Sequence, residues 1–311
     1  MKIKRMIKKI TPDHVIRVYR ELKMLPEYLD AVRKDFMKKK PILSFISDEE
    51  TVRLIVEDRK SLCRFGDGEI RWMLGYRLDS FQEYSDRLSE GLKRAFLSNN
   101  TDLLVGIPRG IVDSRKCNFG SKLHWRAIRL NFVEAFEKLG MENRKYANAS
   151  ITRPYIDYND RKYSEQCFKN LKKIWDKKDV VFVEGRKTKL GMGNDLFSNA
   201  KSISRILCPT VNAFEKIDDI KSSIRKNCSE NNIILLALGP TATVLAAEMC
   251  DEGFQMIDIG HVDVEYIWYL RHDLLRKPID GKYVNESGER IQSDLYEKDK
   301  DYLDSIIDEI A

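Results

Sequence analysis

Two unbroken apolar stretches constrain the fold more than any other feature: Val180-Val181-Phe182-Val183 and Ile233-Ile234-Leu235-Leu236-Ala237-Leu238. A strand that faces water alternates apolar and polar residues, whereas one that is apolar throughout is covered on both faces. Weaker strand patterns occur at 61–65, 102–106, 205–208 and 255–259. Helical periodicity fills the intervals 85–97, 121–139, 164–175, 213–227 and 241–252, and Ser47-Asp48-Glu49-Glu50 opens another helix. Strands alternating with helices call for a mainly parallel sheet joined by right-handed crossovers. The expected class is α/β, with helices flanking the sheet.

With 311 residues, the chain can form one large domain of this kind. Its charge is unevenly spread. The formal net charge is +6, but residues 1–40 hold 13 Lys/Arg against 5 Asp/Glu, so the remainder is close to neutral at −2. A nucleic-acid binder would carry positive charge across its folded surface, so no nucleic-acid partner is expected. Residues 1–44 read as a basic helical extension, 45–285 as the α/β domain, and 286–311 as a C-terminal helical segment packed on it. Ile3, Met6, Ile7 and Ile10 share one face of a helix otherwise rich in Lys and Arg, which suits an anionic membrane surface or a partner through residues 1–10. Thr11 is the expected N-cap of the next helix, whose apolar positions include Val15, Tyr19, Leu22, Leu25 and Leu29. Leu295, Tyr302, Ile306, Ile307 and Ile310 suggest an acidic amphipathic helix over 294–310. Six cysteines show no metal-ligand spacing and read as reduced thiols. No apolar run reaches membrane-span length and no signal peptide is evident, so a cytoplasmic location is expected, with peripheral contact at the inner face of the membrane.

Ligands of open parallel sheets collect at the carboxyl ends of the strands, and four loops expected there carry unusual chemistry. Arg64-Phe65-Gly66-Asp67-Gly68-Glu69 sets two carboxylates two residues apart on a glycine turn, the oxygen donors that Mn²⁺ or Mg²⁺ takes alongside a substrate phosphate. The loop from Glu184 to Asp195 combines Arg186, Lys187 and Lys189 with Gly185, Gly191, Gly193 and Asn194, a set suited to a diphosphate although no P-loop is present. Gly239-Pro240-Thr241 begins a helix directly after a strand, leaving free amides for an anion. His261, with Asp263 and Glu265, follows a strand and Gly260, where an imidazole or carboxylate can take a proton from an attacking hydroxyl. The residues alone indicate a metal-assisted enzyme acting on a phosphorylated or nucleotide-linked substrate. A metal-dependent phosphoesterase and a non-catalytic binding module remain the alternatives.

In order along the chain, Arg-Phe-Gly-Asp-Gly-Glu (64–69), Glu-Gly…Gly-Met-Gly-Asn-Asp-Leu-Phe (184–197), Cys-Pro-x-x-Asn-Ala-Phe (208–214), Leu-Gly-Pro-Thr-Ala-Thr-Val-Leu (238–245) and Asp-Ile-Gly-His-Val-Asp-Val-Glu-Tyr (258–266) resemble the bacterial GT-D-type glycosyltransferases over residues 45–285. The resemblance implies a Rossmann-like nucleotide-sugar transferase. Asp67 and Glu69 match a D-x-E motif that would hold Mn²⁺ or Mg²⁺ against the donor diphosphate. Arg64, Gly66, Glu184, Lys187, Lys189, Gly191, Gly193, Asn194, Asp195, Gly239, Pro240 and Thr241 would form the donor site. His261, Asp263 and Glu265 would serve catalysis. The implied donor is a UDP-sugar, UDP-glucose among them, and the implied acceptor is a glycan of a surface glycoprotein or capsule-type polysaccharide. This chain departs from the pattern at Thr188-Lys189, where Ser-Arg is expected; a lysine cannot reproduce the arginine fork.

Overall fold

A computed structural model of the chain describes residues 12–36, 43–78, 80–139, 144–284 and 295–311. The expected helix of residues 1–10 and the Thr11 cap lie outside these. Among the described residues nine strands form the sheet: β1 Ser44–Phe45, β2 Ser61–Arg64, β3 Leu103–Ile107, β4 Lys145–Asn148, β5 Asp179–Gly185, β6 Ser202–Cys208, β7 Ile233–Ala237, β8 Gln255–Asp258 and β9 Ile306–Glu309. The helices are α1 Asp13–Phe36, α2 Asp48–Val56, α3 Asp67–Met73, α4 Asp86–Leu97, α5 Phe119–Leu139, α6 Arg161–Lys172, α7 Ile217–Asn227, α8 Pro240–Cys250, α9 Val262–Arg271 and α10 Lys300–Asp304. The strand order is β1-β4-β3-β2-β8-β7-β5-β6-β9 and every neighbouring pair is parallel.

The apolar runs do what their composition requires. In β5, Val181 and Val183 enter one core and Val180 and Phe182 the other; in β7, Ile234 and Leu236 divide from Ile233 and Leu235 in the same way. Each such side chain, taken fully from water, stabilises the fold by about 1.5–3 kcal/mol. Helix α8, buried along nearly its whole length, packs on β2 and β8. Trp175 and Phe182 anchor the opposite layer against Phe197.

The C-terminal segment corrects the expected helix over 294–310. After the five-residue α10, Ile306–Glu309 pairs with β6 and extends the sheet. Helical spacing is present, but the vacant edge of β6 offers backbone partners that an exposed acidic helix lacks, and β-branched Ile306 and Ile307 suit a strand. Ser223 Oγ donates to Asp308 at 2.6 Å and Arg186 pairs with Glu309, fixing the register. Helix α6 begins three residues earlier than its apolar pattern suggests because Asp160 caps it, accepting from the Tyr163 amide at 3.1 Å. Helix α1 runs continuously through Pro26. All six cysteines are free thiols.

Candidate active site

The strands end on one cleft of about 970 Å³. Arg64 of β2, Pro108 after β3, Gly185 of β5, Pro209 after β6, Ala237 of β7 and Asp258 of β8 all reach it. This is the position that the sheet topology assigns to a ligand.

Asp67 and Glu69 lie in the cleft wall, but on the first turn of α3 rather than on a free turn. Glu69 is the third helical residue and its Oε2 accepts from the Gly66 amide at 2.9 Å, half of a capping box. Burial, reinforced by the nearby carboxylates of Asp258 and Asp67, pushes the Glu69 carboxyl up to about 7 despite the hydrogen bonds from backbone amides. Asp67 accepts no hydrogen bond from the described residues, so its oxygens are available to a ligand. Among the described residues no group of three His, Cys, Asp or Glu could hold a metal. Two carboxylates nevertheless fit a hard cation that completes its shell with water and substrate phosphate. Crowded, reluctantly ionised carboxylates are also stabilised by such a counter-charge.

Beneath this pair, Arg64 donates from Nε to the Asp258 carbonyl at 2.7 Å, from Nη2 to Asp258 Oδ1 at 2.7 Å and from Nη1 to the Ala149 carbonyl at 3.1 Å. Its guanidinium therefore ties the ends of β2, β4 and β8 together while lining the cleft. Burial raises the Asp258 carboxyl above its ordinary range even with Arg64 beside it. Gly260 is required here, since a Cβ on it would overlap the Arg64 guanidinium. Across the β7 end, Gly239 adopts φ +56° and ψ −136°, and Pro240 opens α8. A Cβ at Gly239 would strike the Phe81 ring. Gly239 lines the cleft; Thr241 is fully buried and does not.

The glycine-rich loop sits differently from its expected placement. Only Gly185, Thr188 and Leu190 of its stretch line the cleft. Glu184 is fully buried, accepting from Arg205 at 2.5 Å and from the Leu190 amide at 2.7 Å. Lys189, at φ +54°, turns inward over the Tyr302 ring at 4.1 Å and pairs with Glu297 at 3.4 Å. The Gly191 amide and Asn194 Nδ2 donate to Asp263 Oδ1 at 3.0 and 2.6 Å. Asp195 binds Lys172 and the Tyr266 hydroxyl at 2.9 and 2.8 Å. Lys187, Lys189, Gly191, Gly193, Asn194, Asp195 and Pro240 are thus not brought to the cleft wall. The pairing of Glu184 with Arg205 on the neighbouring strand sets this orientation.

His261, Asp263 and Glu265 also separate. His261 is the half-buried N-cap residue of α9 and lines the cleft. Asp263 reaches it too but is buried, held by Lys282 at 2.5 Å in addition to Asn194 and Gly191. Glu265 is wholly buried and accepts from the Tyr155 and Ile156 amides at 3.2 and 2.9 Å, shaping the cleft-lining stretch 153–157. Residues the sequence did not single out complete the cleft: Trp72, Phe81, His124, Arg153, Asp157 and Arg276. His124 is open to cleft solvent but hemmed in by its walls, and this crowding lowers its imidazole pKa against the pull of Asp67 and Asp157. Adjacent His124 and Trp125 are the one local signal that marks this helix, their rings 5.0 Å apart edge to face.

An all-parallel sheet whose strand ends surround an acidic pair and a glycine-opened helix start defines a Rossmann-like α/β protein of the ligand-binding kind. The chain belongs to the glycosyltransferase GT-D fold family, whose sequence model matches residues 62–287. It is 33% identical over 248 residues to Glycosyltransferase GlyD of Streptococcus pneumoniae serotype 4, covering 79% of this chain and 30% of that one. It is 34% identical over 278 residues to the probable glycosyl transferase Gly of Streptococcus gordonii, covering 86% and 39%. The chain therefore spans about a third of the length of these curated relatives. Among solved structures, a glycosyltransferase (DUF1792) from Streptococcus sanguinis superposes with a TM-score of 0.79 at 32% identity, covering 86% of this chain and all of that one. A domain of unknown function 1792 described as having a distinct glycosyltransferase fold gives a TM-score of 0.77 at 30% identity, covering 92% of this chain and all of that one.

Proposed function

We propose that this chain is a glycosyltransferase moving a sugar from a nucleotide-sugar donor, a UDP-sugar such as UDP-glucose, to a hydroxyl of a glycan acceptor in surface-glycoprotein or cell-surface polysaccharide synthesis. The observation that carries this reading is the cleft into which the strand ends bring unbonded Asp67, half-buried Glu69 and the Gly239 helix start. Family membership supports the same chemistry.

The Gly239 backbone at the α8 start lets donor phosphate approach closely, and Gly185 and Thr188 do the same for the loop after β5. Asp67 and Glu69 would hold Mn²⁺ or Mg²⁺, which supplies neutralisation of charge on the departing diphosphate. The acceptor hydroxyl oxygen attacks the anomeric carbon as the bond from that carbon to the phosphate oxygen breaks and the nucleoside diphosphate leaves. His261 takes the hydroxyl proton in this scheme. Asp263 is already neutralised by Lys282, and Glu265 is committed to backbone amides. Arg64 and Asp258 hold the strand ends in register for these groups. The work is electrostatic and positional.

Among the described residues no helix is long and apolar enough to cross a membrane. The reading places the enzyme in the cytoplasm, with basic residues 1–10 meeting the inner face of the membrane. Incubation with UDP-glucose and Mn²⁺, with and without a glycan acceptor, tests the assignment. Glycoside formed only with acceptor supports transfer; hydrolysis indifferent to acceptor supports the phosphoesterase alternative instead.

A further inference from the structure

Helix α1 lies outside the matched segment 62–287, yet its inner face contributes Arg17, Arg20, Glu21 and Met24 to the cleft wall. It is held there by polar bonds. Asp13 pairs with Lys277 at 2.7 Å and Arg17 donates to Asn159 Oδ1 at 2.6 Å. Next to these, Arg276 and Ser121 both donate to Asp157 Oδ1, at 2.9 and 3.0 Å. These contacts join α1, the segment after α9, the stretch 153–159 and the start of α5 into one wall. Different segments present Asp67, Glu69 and Gly239.

The charges on this wall do not balance. Arg17, Arg20, Arg153 and Arg276 line the cleft beside only two of its carboxylates, Glu21 and Asp157. Arg17 is taken by Glu21 at 3.1 Å, while Arg276 and Arg153 share Asp157 at 2.9 and 3.7 Å. Arg153 also lies 3.7 Å from the buried Glu265. Arg20 has no acidic partner among the described residues. A neutral sugar offers a guanidinium only single hydroxyl acceptors, whereas a carboxylate or phosphate ester matches its fork with paired, charge-assisted hydrogen bonds.

We infer that the α1 wall is the acceptor end of the cleft and that Arg20 recognises a negatively charged group, carboxylate or phosphate ester, on the acceptor saccharide. This rests on the glycosyltransferase reading and specifies its acceptor class. A prefix outside the matched segment thereby sets which saccharide is accepted, while the matched segment handles the donor.

Calorimetric titration of the full chain with glucuronate, glucose 6-phosphate, glucose, inorganic phosphate and UDP, the last with Mn²⁺, tests it. The charged sugars are expected to bind about tenfold more tightly than glucose, the worth of one charge-assisted hydrogen-bonded contact; the stronger of the two identifies carboxylate or phosphate. Arg20→Ala removes that preference and Arg20→Lys restores only part of it, with UDP affinity and melting temperature as in the wild type. The proposal is overturned if glucose binds as tightly as both charged sugars, or if Arg20→Ala keeps the preference. It is overturned equally if Arg20→Ala weakens UDP as much as the sugar acids, which moves Arg20 to the donor side. Inorganic phosphate binding as tightly as glucose 6-phosphate also overturns it, because the site then reads a bare anion. Absence of UDP binding would instead remove the glycosyltransferase reading, leaving the charged-sugar preference as a separate result.

Discussion

The acidic turn at 66–69 and the glycine-rich loop at 184–195 look equally suited to a phosphorylated ligand, yet the fold uses them differently. The first keeps a carboxylate free of protein partners at the mouth of the strand ends. The second spends most of its polar groups on the protein: Glu184 on Arg205, Gly191 and Asn194 on Asp263, Asp195 on Lys172 and Tyr266. The difference lies in what each side chain meets across the sheet. Asp67 lies near the Glu69 carboxyl and the His124 imidazole without a bond to either, whereas Glu184 meets a buried guanidinium one strand away. Composition identifies a polar loop, but the partner on the adjacent strand decides whether its charges face the ligand or the core.

If that contrast is right, substitutions in the two loops fail in different ways. Asp67→Asn should lower Mn²⁺-dependent transfer on the order of a thousandfold, as expected for loss of a group that stabilises developing charge. Its melting temperature should stay at the wild-type value, because Asp67 has no bond to lose. Glu184→Gln should act on stability instead. It leaves Arg205 buried without its counter-charge, at a cost of about 3 kcal/mol in urea unfolding; unchanged stability with impaired UDP binding would reverse the comparison.

Gly239→Ala tests the shared border of the two regions. The side chain meets Phe81 and forces a non-glycine residue to positive φ, so UDP affinity should fall about tenfold by titration, an effect of ~1.4 kcal/mol. The smallest effect belongs to Asp195→Asn. Hydrogen bonds from Lys172 and then Tyr266 hold the Asp195 carboxyl below its ordinary range. A depressed folded-state pKa contributes stability above the unfolded value of about 3.9, lost as pH falls through the folded value. Replacing this exposed pair partner should cost under ~1 kcal/mol at neutral pH and flatten the acid limb of a stability–pH curve.

Much of the sheet was legible because β5 has the unbroken apolar centre 180–183 and β7 is apolar throughout, and short runs of that kind, rich in β-branched residues, belong to strands covered on both faces. β1 has two residues and β4 reads Lys-Tyr-Ala-Asn, so neither carries a pattern apart from its neighbours. β9 is hidden because Ile306, Ile307 and Ile310 satisfy helical spacing, and the open edge of β6 tips the balance to the strand. The cleft was legible at Asp67, Glu69, Gly239 and His261, where motif and strand end coincide. Lys189 was not, because its inward turn depends on a left-handed residue and on Tyr302, more than a hundred positions away. Asp157, Arg276 and His124 escaped notice for the same reason: each gains meaning from segments remote in sequence. The largest surprise is α1, which no motif connected with the site and whose inner face lines the cleft.

The central claim is that the cleft binds a nucleotide-sugar through Asp67 and Glu69 with a divalent cation. A thermal-shift measurement of the full chain with UDP-glucose, in the presence and absence of Mn²⁺, tests it most directly. The account predicts stabilisation by the nucleotide-sugar that requires Mn²⁺ and disappears in Asp67→Asn. Stabilisation equal with and without the metal, and retained in Asp67→Asn, would contradict it.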